Sequence, residues 1–257
     1  MTRLSVCITA FNSAETLADV LRSVRWADEI IVLDSGSSDA TEAIARAAGV
    51  RWFTQPFAGY AAQKQKTIDL ATGDWVLILD SDEVVSQPLA REIQTLLAGD
   101  PDRDGYDLPR RELVFWTLAH PSVRRNRFLR LARREAARMS DRAVHETVLV
   151  DGSVGSLGHE LLHYGERSIA IKVDKINQYS TLGVDALKRS PKLRDLLIRP
   201  PWYFFRHYVL KRNCLTGLPG LVTSTIGAMQ VFLKYAKAIE ATHATTSSTT
   251  HEHRRAA

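Results

Sequence analysis

Three polar clusters follow three apolar runs in the first third of the chain. They are Thr9-Ala10-Phe11-Asn12, Asp34-Ser35-Gly36-Ser37-Ser38-Asp39 and Asp80-Ser81-Asp82-Glu83. In an open α/β sheet, ligands bind outside the carboxyl ends of the strands. A single acidic residue at such an end is commonly a helix cap, as Asp39 could be. Three clusters together predict one ligand-binding edge.

Asp80 and Asp82 are two carboxylates one residue apart at the end of an apolar strand. Extended backbone aims both side chains the same way, so they repel each other unless a cation or hydrogen-bond donors lie between them. Mg²⁺ typically takes one or two carboxylates together with substrate phosphate oxygens and water. The pair therefore predicts a divalent metal, Mg²⁺ or Mn²⁺, beside a phosphorylated ligand.

Short β-rich runs alternate with helical patterns in the first hundred residues. We predict strands over Leu4–Thr9, Glu29–Leu33, Val50–Phe53 and Trp75–Leu79, and helices over Ala14–Val24, Ala40–Ala48, Ala61–Ala71 and Gln87–Ala98. Such alternation indicates an α/β fold, a mostly parallel sheet with helices on both faces. Strand patterns over Gly105–Thr117, Arg127–Ala132 and Val144–Val150 predict an α+β annex, which completes a first domain over residues 1–165.

The last third predicts a helical segment over residues 166–243 and a disordered tail over 244–257. We expect one helix over Ile169–Leu187, a glycine-interrupted stretch over Leu215–Ala228 and a further helix over Met229–Ala241. The segment Trp202–Arg212 mixes aromatic and basic residues. Aromatics at helical spacing usually pack in a core, but Trp and Tyr beside Arg and Lys also fit a membrane interface.

The composition is that of a globular protein. The chain has 257 residues, 45% of them apolar, and a net charge of +5. Such a charge suits phosphates, nucleic acid or an anionic membrane equally well. Between Arg124 and Arg142 there are eight arginines and two acidic residues. This stretch predicts a local cationic patch, and from charge alone a solvated helix face is the simpler interpretation.

Cysteine usage and the N-terminus predict a cytoplasmic protein. Cys7 and Cys214 are far apart and match no metal-ligand spacing, which favours a reducing compartment. Met1-Thr2-Arg3 leads directly into the first strand without a secretory signal. No window approaches the roughly 20 apolar residues of a spanning helix, so we expect any membrane contact to be peripheral.

With these motifs the chain resembles glycosyltransferase family 2 of the GT-A fold. The three polar clusters, including the Asp80-Ser81-Asp82 "DXD" motif, occur in the family's order and spacing, as does Gln63-Lys64-Gln65 followed by Ala71-Thr72-Gly73-Asp74-Trp75. The resemblance implies a UDP-sugar donor and an inverting reaction. It also implies that the donor is bound by Thr9, Phe11, Asn12, Asp34, Lys64, Asp80 and Ser81.

Individual roles follow from the same resemblance. Asp34 would accept a hydrogen bond from the uracil, Lys64 would contact the base or the diphosphate, and Asp80 would hold the ribose. Asp82 would bind the metal. Lysine at position 64, where many members have arginine, lacks the bidentate fork of a guanidinium.

Further motifs resemble a narrower subgroup, the lipopolysaccharide-core β-1,4-glucosyltransferases. They are Asp141-Arg142-Ala143-Val144-His145-Glu146, Gly152 and Leu161-Leu162-His163-Tyr164. The resemblance implies glucose transfer from UDP-glucose to a lipid-linked saccharide at the cytoplasmic face of the inner membrane, without a nucleic acid partner. Inversion needs a carboxylate base, for which Glu146 is the candidate, with His145 beside it. His163 is a candidate additional metal ligand.

Two other functions fit parts of the sequence. An apolar strand ending in Asp-x-Asp is also the nucleophile motif of haloacid dehalogenase-like phosphatases, but there it normally ends the first strand. A non-catalytic membrane-binding protein would use only the basic aromatic segment Trp202–Arg212. The phosphatase interpretation leaves Asp34 and the cluster Thr9–Asn12 unexplained, and the membrane-binding alternative predicts liposome binding without nucleotide affinity.

Overall fold

The computed structural model describes the backbone of residues 2–140, 147–185, 187 and 191–255, with the side chains of residues 166, 185 and 243–255 left out. The chain forms two compact units. The first comprises residues 1–112 and 125–165, and the second comprises residues 113–124 and 166–257. The first unit contains most of the sheet, and the second is mainly helical.

Strands and helices alternate along the first hundred residues, as the sequence predicts. In chain order they are β1 Leu4–Ala10, α1 Leu17–Ser23, β2 Glu29–Asp34, α2 Thr41–Ala47, β3 Arg51–Thr54, α3 Tyr60–Leu70, β4 Trp75–Asp80, β5 Glu83–Val85 and α4 Gln87–Ala98. Strands then dominate: β6 Gly105–Val114, β7 Thr117–Leu118, β8 Asn126–Arg133, β9 Ala137–Met139, β10 Val148–Val150, β11 Val154–Ser156 and β12 Leu161–Glu166.

The main sheet has the strand order β3-β2-β1-β4-β8-β6-β12-β5. Its first four strands are parallel, whereas β8 pairs antiparallel with both β4 and β6. A separate antiparallel pair is formed by β9 and β10. The predicted parallel sheet with an annex of different character is therefore confirmed.

Both faces of the parallel strands are buried. On β1, Val6 and Ile8 pack with α1 and α4 residues in one apolar cluster, whereas Cys7 packs with Ile68 of α3 in another. Successive strand residues point to opposite faces. Continuous apolar runs such as Trp75–Leu79 are consequently buried on both sides, which explains why these strands lack polar alternation.

A buried carboxylate network lies at the start of β2. Glu29 accepts hydrogen bonds from the Ser5 hydroxyl, the Arg51 guanidinium and the backbone N–H of Thr72, the last at 2.8 Å. Burial raises the pKa of Glu29, but the hydrogen bonds from Ser5, Thr72 and Arg51 outweigh it and keep the pKa below its usual 4.5. Glu29 thus joins β1, β2, β3 and the loop before β4.

The second unit is built around three helices, α5 Ile169–Asp185, α6 Leu193–Phe205 and α7 Leu218–Arg255. Residues Arg206–Leu210 continue α6 as a π-helical turn. A small core combines Val114 and Phe115 with Ile176 of α5 and Ile226 of α7.

The predicted glycine interruption before Met229 is wrong, because α7 runs from Leu218 through Gly220 and Gly227. A Cβ atom at Gly227 would lie 2.6 Å from Cε1 of Tyr203, so this glycine allows close helix packing instead of ending the helix. The helix as described also extends into the segment predicted to be a disordered tail. The side chains beyond residue 242 are outside the described part, and the tail remains a prediction.

We expect Glu29→Gln to lower the free energy of unfolding by about 2 kcal/mol at pH 7, because hydrogen bonds to a charged group contribute about 1.5–3 kcal/mol. A depressed native pKa stabilises the fold above the unfolded pKa, and this contribution is lost as the pH falls through the native value. Denaturant unfolding from pH 7 to pH 3 should therefore show the difference between Glu29→Gln and the unaltered protein shrinking below about pH 4.5.

Glu42→Gln is the matched control, because Glu42 forms an exposed ion pair with Arg46 one helical turn away. Exposed pairs of this kind contribute about 0.5 kcal/mol or less. Equal destabilisation by the two variants would contradict a stabilising role for the Glu29 network.

Candidate active site

The three polar clusters lie at one edge of the sheet. The parallel register pairs Thr9 of β1 with Leu33 of β2 on one side and with Asp80 of β4 on the other. The carboxyl ends of these strands are therefore level, and the loops that follow them are neighbours. The structure brings together the residues that the sequence assigns to the donor site.

Side chains of the first two loops bind each other. Asn12, in the left-handed region with φ 47°, donates its backbone N–H to the Ser37 hydroxyl at 2.8 Å and accepts from the backbone N–H of Ser38 at 2.9 Å. The hydroxyls of Ser13 and Ser81 are 2.7 Å apart, which links the first loop to the DXD loop. Phe11, with 60% of its surface exposed, lies outside this packing.

Asp34 is buried and orders the second loop. Its carboxylate accepts from the backbone N–H groups of Gly36 at 2.8 Å and Ser37 at 2.7 Å, and from the Ser37 hydroxyl at 2.5 Å. A carboxylate has roughly four acceptor positions, so these contacts use most of them. The contact with a nucleobase stays a prediction, and the observed role of Asp34 is to shape the loop.

Asp80 is held by two buried cations. Lys64 of α3 approaches one carboxylate oxygen at 2.7 Å, and Arg130 of β8 approaches the other at 2.9 Å. Burial raises the pKa of Asp80, but the charges of Arg130 and Lys64 outweigh burial and lower it well below its usual range. Asp80 is therefore ionised and fixed in position, and Lys64 contacts it directly.

The predicted cationic patch does not stand as a solvated helix face, because six of its eight arginines are paired within the first unit. A carboxylate oxygen lies within 4.0 Å of each of Arg125, Arg127, Arg130, Arg133, Arg134 and Arg138. Most of this stretch is strand, and Arg130 is itself buried. The local excess of positive charge in the sequence is thus balanced by carboxylates that, except for Glu135 beside Arg134, are distant in sequence.

Asp82 and His163 face each other beside the Asp80 cluster. The His163 Nε2 atom lies 3.3 Å from Oδ2 of Asp82, and its Nδ1 atom contacts the carboxylate of Glu112. Burial lowers the pKa of His163, but the two carboxylates outweigh burial and raise it to about 10. The two residues that the sequence assigned to the metal are therefore adjacent.

The backbone of Gly165 packs closely against this pair. A Cβ atom there would lie 2.6 Å from Cε1 and 2.8 Å from Nε2 of His163, and 3.3 Å from Oδ2 of Asp82. Glycine at position 165 thus lets the His163 ring lie beside Asp82, and one carboxylate with one imidazole is a donor set that can bind a divalent cation. Among the described residues, no group of three or more His, Cys, Asp and Glu side chains could hold a metal ion. A cation here would need further ligands from substrate phosphate and water.

The two candidates for proton transfer, His145 and Glu146, lie outside the described residues. The flanking strands β9 and β10 pair antiparallel, with Met139 opposite Val148. Ser140 and Thr147 are joined by a backbone hydrogen bond of 2.9 Å.

Four charged residues near the site were missed as functional candidates: Glu83, Arg110, Glu112 and Arg130. Glu83 is fully buried and accepts from Arg130 at 2.7 Å and Arg110 at 3.0 Å. Arg110 also donates to Glu112 at 2.9 Å. A usable signal was the spacing of Arg110 and Glu112, which are two residues apart in a predicted strand and so share one face.

Sequence comparison gives the family. Residues 5–145 match the family model Glycosyl transferase family 2. The lipopolysaccharide core biosynthesis glycosyltransferase LpsC of Rhizobium meliloti (strain 1021) is 33% identical over 245 residues, covering 91% of this chain and 91% of that protein. An uncharacterized glycosyltransferase of Rickettsia felis is 30% identical over 254 residues, with 92% and 89% covered.

A solved structure of glucosyl-3-phosphoglycerate synthase from Mycobacterium tuberculosis, in complex with Mn²⁺, UDP and glucosyl-3-phosphoglycerate, is 25% identical. It covers 52% of this chain and 58% of that chain with a TM-score of 0.39. The family match spans more than half of the chain, and the LpsC likeness spans nearly all of it. This chain belongs to glycosyl transferase family 2 and is a glycosyltransferase with an α/β fold of the GT-A class.

Proposed function

We propose that this chain transfers glucose from UDP-glucose, with inversion, to a lipid-linked saccharide acceptor such as lipopolysaccharide core. The observation that carries the proposal is the convergence of Asp80, Asp82 and His163 at the carboxyl edge of the sheet, where Gly165 lets the His163 ring pack closely on the backbone. The LpsC likeness supports the acceptor class, since that relative is named for lipopolysaccharide core biosynthesis.

The donor would lie across the ends of β1, β2 and β4. Exposed Phe11 offers an aromatic face to the uracil, and Asp34 and Thr9 lie at neighbouring strand ends. Asp80 is fixed by Lys64, so an ionised acceptor is ready for the ribose hydroxyls. Asn12 and Ser81, which tie the loops together, would keep this surface in shape before the donor binds.

Asp82 and His163 would hold the divalent cation, Mg²⁺ or Mn²⁺. When bound, such an ion neutralises the charge that develops on the departing diphosphate. The donor diphosphate would supply further oxygen ligands. Lys64 adds a fixed positive charge at the same edge.

The transfer step needs a base on the acceptor side of the sugar. Glu146 would take the proton of the acceptor hydroxyl, whose oxygen forms a bond to the anomeric carbon. The bond between that carbon and the β-phosphate oxygen breaks at the same time, and its electron pair leaves with UDP. Attack opposite to the leaving group inverts the anomeric centre. His145 would orient the Glu146 carboxylate.

An exposed apolar stripe on α6 supports peripheral membrane contact. Ile198, Trp202, Phe205 and Val209 recur at helical spacing, and their exposed fractions are 64%, 55%, 44% and 44%. Tyr203 instead packs against Gly227 of α7. Tyr203 therefore supports the core interpretation for one face of the helix, and we propose the interface interpretation for the exposed face.

Positive charge accompanies this stripe. Burial, followed by the charges of Lys211, Arg206 and Lys172, lowers the pKa of His207 to about 4. No helix in the described part of the chain is long and apolar enough to cross a membrane. Apolar anchors beside basic residues favour association with an anionic lipid surface, for which we propose the cytoplasmic face of the inner membrane.

Asp82→Asn should abolish glucose transfer while leaving thermal unfolding nearly unchanged, because it removes an ionised ligand of the cation. UDP release and acceptor glucosylation would be measured with Mg²⁺ or Mn²⁺ present. Full activity of the variant, or undiminished activity of the unaltered protein in excess chelator, would contradict the metal assignment.

A second variant tests the close packing of His163 on Gly165. Gly165→Ala places a methyl group against His163 and should weaken Mn²⁺ binding by about tenfold or more, as expected when a metal ligand is displaced. Gly158→Ala is the matched control, since its nearest neighbour would be at an ordinary 3.6 Å. Equal Mn²⁺ affinities of the two variants, measured by calorimetry, would count against a cation at this position.

Glu146→Gln should lower kcat by roughly 10²–10⁴-fold, the usual contribution of a general base, with donor affinity preserved. Steady-state kinetics and UDP-glucose titration separate the two quantities. A collapse of donor affinity would assign Glu146 to the nucleotide site, and unchanged kinetics would exclude it as the base.

We expect reversible binding to anionic vesicles that weakens at high salt, because each juxtamembrane Lys or Arg contributes about 1 kcal/mol. Co-sedimentation with phosphatidylglycerol and phosphatidylcholine vesicles would measure it. The double variants Trp202→Ala/Phe205→Ala and Arg206→Glu/Lys211→Glu should both bind less. Arg46→Glu, an exposed charge reversal in the first unit, serves as control. Unaltered binding by both double variants would refute this surface.

A further inference from the structure

Glu112 touches the candidate metal ligand His163 from the side opposite Asp82. It lies on β6, the neighbour of β12 in the sheet, and its Oε2 atom contacts Nδ1 of His163. The other ring nitrogen, Nε2, faces Asp82 at 3.3 Å. Neither donor binding nor the transfer step assigns a task to Glu112.

We infer that Glu112 is a positioning residue that fixes His163 for metal binding, an inference that rests on the proposed function. A carboxylate on Nδ1 can only accept a hydrogen bond, so it holds the Nδ1 proton and leaves Nε2 as the nitrogen that would bind the cation, which takes the place of the Nε2 proton. In metal sites, such outer carboxylates orient the imidazole and raise its basicity. Nε2 is the ring nitrogen that lies beside Asp82, and a Cβ atom at Gly165 would come within 2.8 Å of it.

The carboxylate of Glu112 is itself held in place. Arg110 donates from Nε to Glu112 at 2.9 Å and from Nη1 to fully buried Glu83 at 3.0 Å. The Arg110 guanidinium also stacks 4.2 Å from the ring centre of Phe128. A carboxylate anchored through a stacked, doubly bonded arginine keeps one position, which distinguishes it from an exposed ion pair with many rotamers.

The same chain of contacts reaches the nucleotide side of the site. Glu83 accepts from Arg130 at 2.7 Å, and Arg130 donates to Asp80 at 2.9 Å. Alternating charges thus connect Asp80, proposed to hold the ribose, to His163, proposed to hold the cation. Asp80 and His163 are therefore held by the same network of ion pairs, on either side of the region proposed to bind the donor diphosphate.

The test is a double-mutant cycle on Mn²⁺ affinity, measured by calorimetry on the full chain with and without UDP. Glu112→Gln should weaken Mn²⁺ binding by about 10–100-fold, the usual effect of removing an outer carboxylate. In a His163→Ala background the same substitution should have no further effect, because Glu112 acts through His163. If Glu112 acted only through its negative charge, Glu112→Gln would weaken Mn²⁺ binding in both backgrounds.

Glu160→Gln is the charge-matched control. Glu160 is a partly buried carboxylate of the same unit that pairs with Arg111 at 3.0 Å, and it should leave Mn²⁺ affinity unchanged. Glu112→Asp, which keeps the charge with a shorter reach, should recover part of the affinity if it folds like the unaltered protein by circular dichroism.

The outcomes separate this inference from the proposed function. If the unaltered protein binds Mn²⁺ and His163→Ala weakens binding while Glu112→Gln does not, Glu112 has no positioning role and the metal site stands. Equal effects of Glu112→Gln in both backgrounds would also overturn the inference. If the unaltered protein binds no Mn²⁺ even with UDP, both the metal site and the role of Glu112 are refuted.

Discussion

The first unit depends on keeping one carboxylate charged at the end of a buried strand. Asp80 closes β4, whose preceding residues Trp75–Leu79 are fully buried, and an isolated ion there would be very costly. Lys64 from α3 and Arg130 from β8 make it tolerable by pairing with separate oxygens. The ion is therefore stable only when a helix on one face and a strand at the side of β4 are both in place.

That requirement extends to the rest of the charged site, because buried Arg130 also bonds Glu83, and Glu83 bonds Arg110. Paired charges in such surroundings gain little stability over apolar residues of similar size, but losing one partner is strongly unfavourable. The charged network therefore serves mainly to position the side chains of the site, and it contributes little to the stability of the fold. Apolar packing on both faces of the parallel strands provides most of the stability.

The sequence predicted the elements because local patterns determine them: apolar runs, helical spacing and polar strand ends. It also placed Asp82 and His163 in one site, through a resemblance and not through geometry. Arg130 could not be found in this way, since its partners depend on the antiparallel pairing of β4 with β8, where Leu77 faces Leu131. A shift of one residue in that register would point Arg130 to the other face. Likewise, the sequence around Gly227 suggests a helix break. Only the packing of Tyr203 against Gly227 shows that the glycine allows close contact between two helices.

Because the arginines of the first unit are paired with carboxylates, the proposed attraction to an anionic membrane must come from other cations. A net charge of +5 and a cluster of arginines suggest a basic patch near the sheet, but those arginines have carboxylates beside them. An ion pair has little field beyond its own length, and salt screens what remains within about 8–10 Å. Electrostatic attraction therefore falls to cations such as Arg206 and Lys211, which lie in the same segment as the exposed rings of Trp202 and Phe205. The membrane contact that we propose therefore rests on the second unit, while the first unit uses its arginines to order the site.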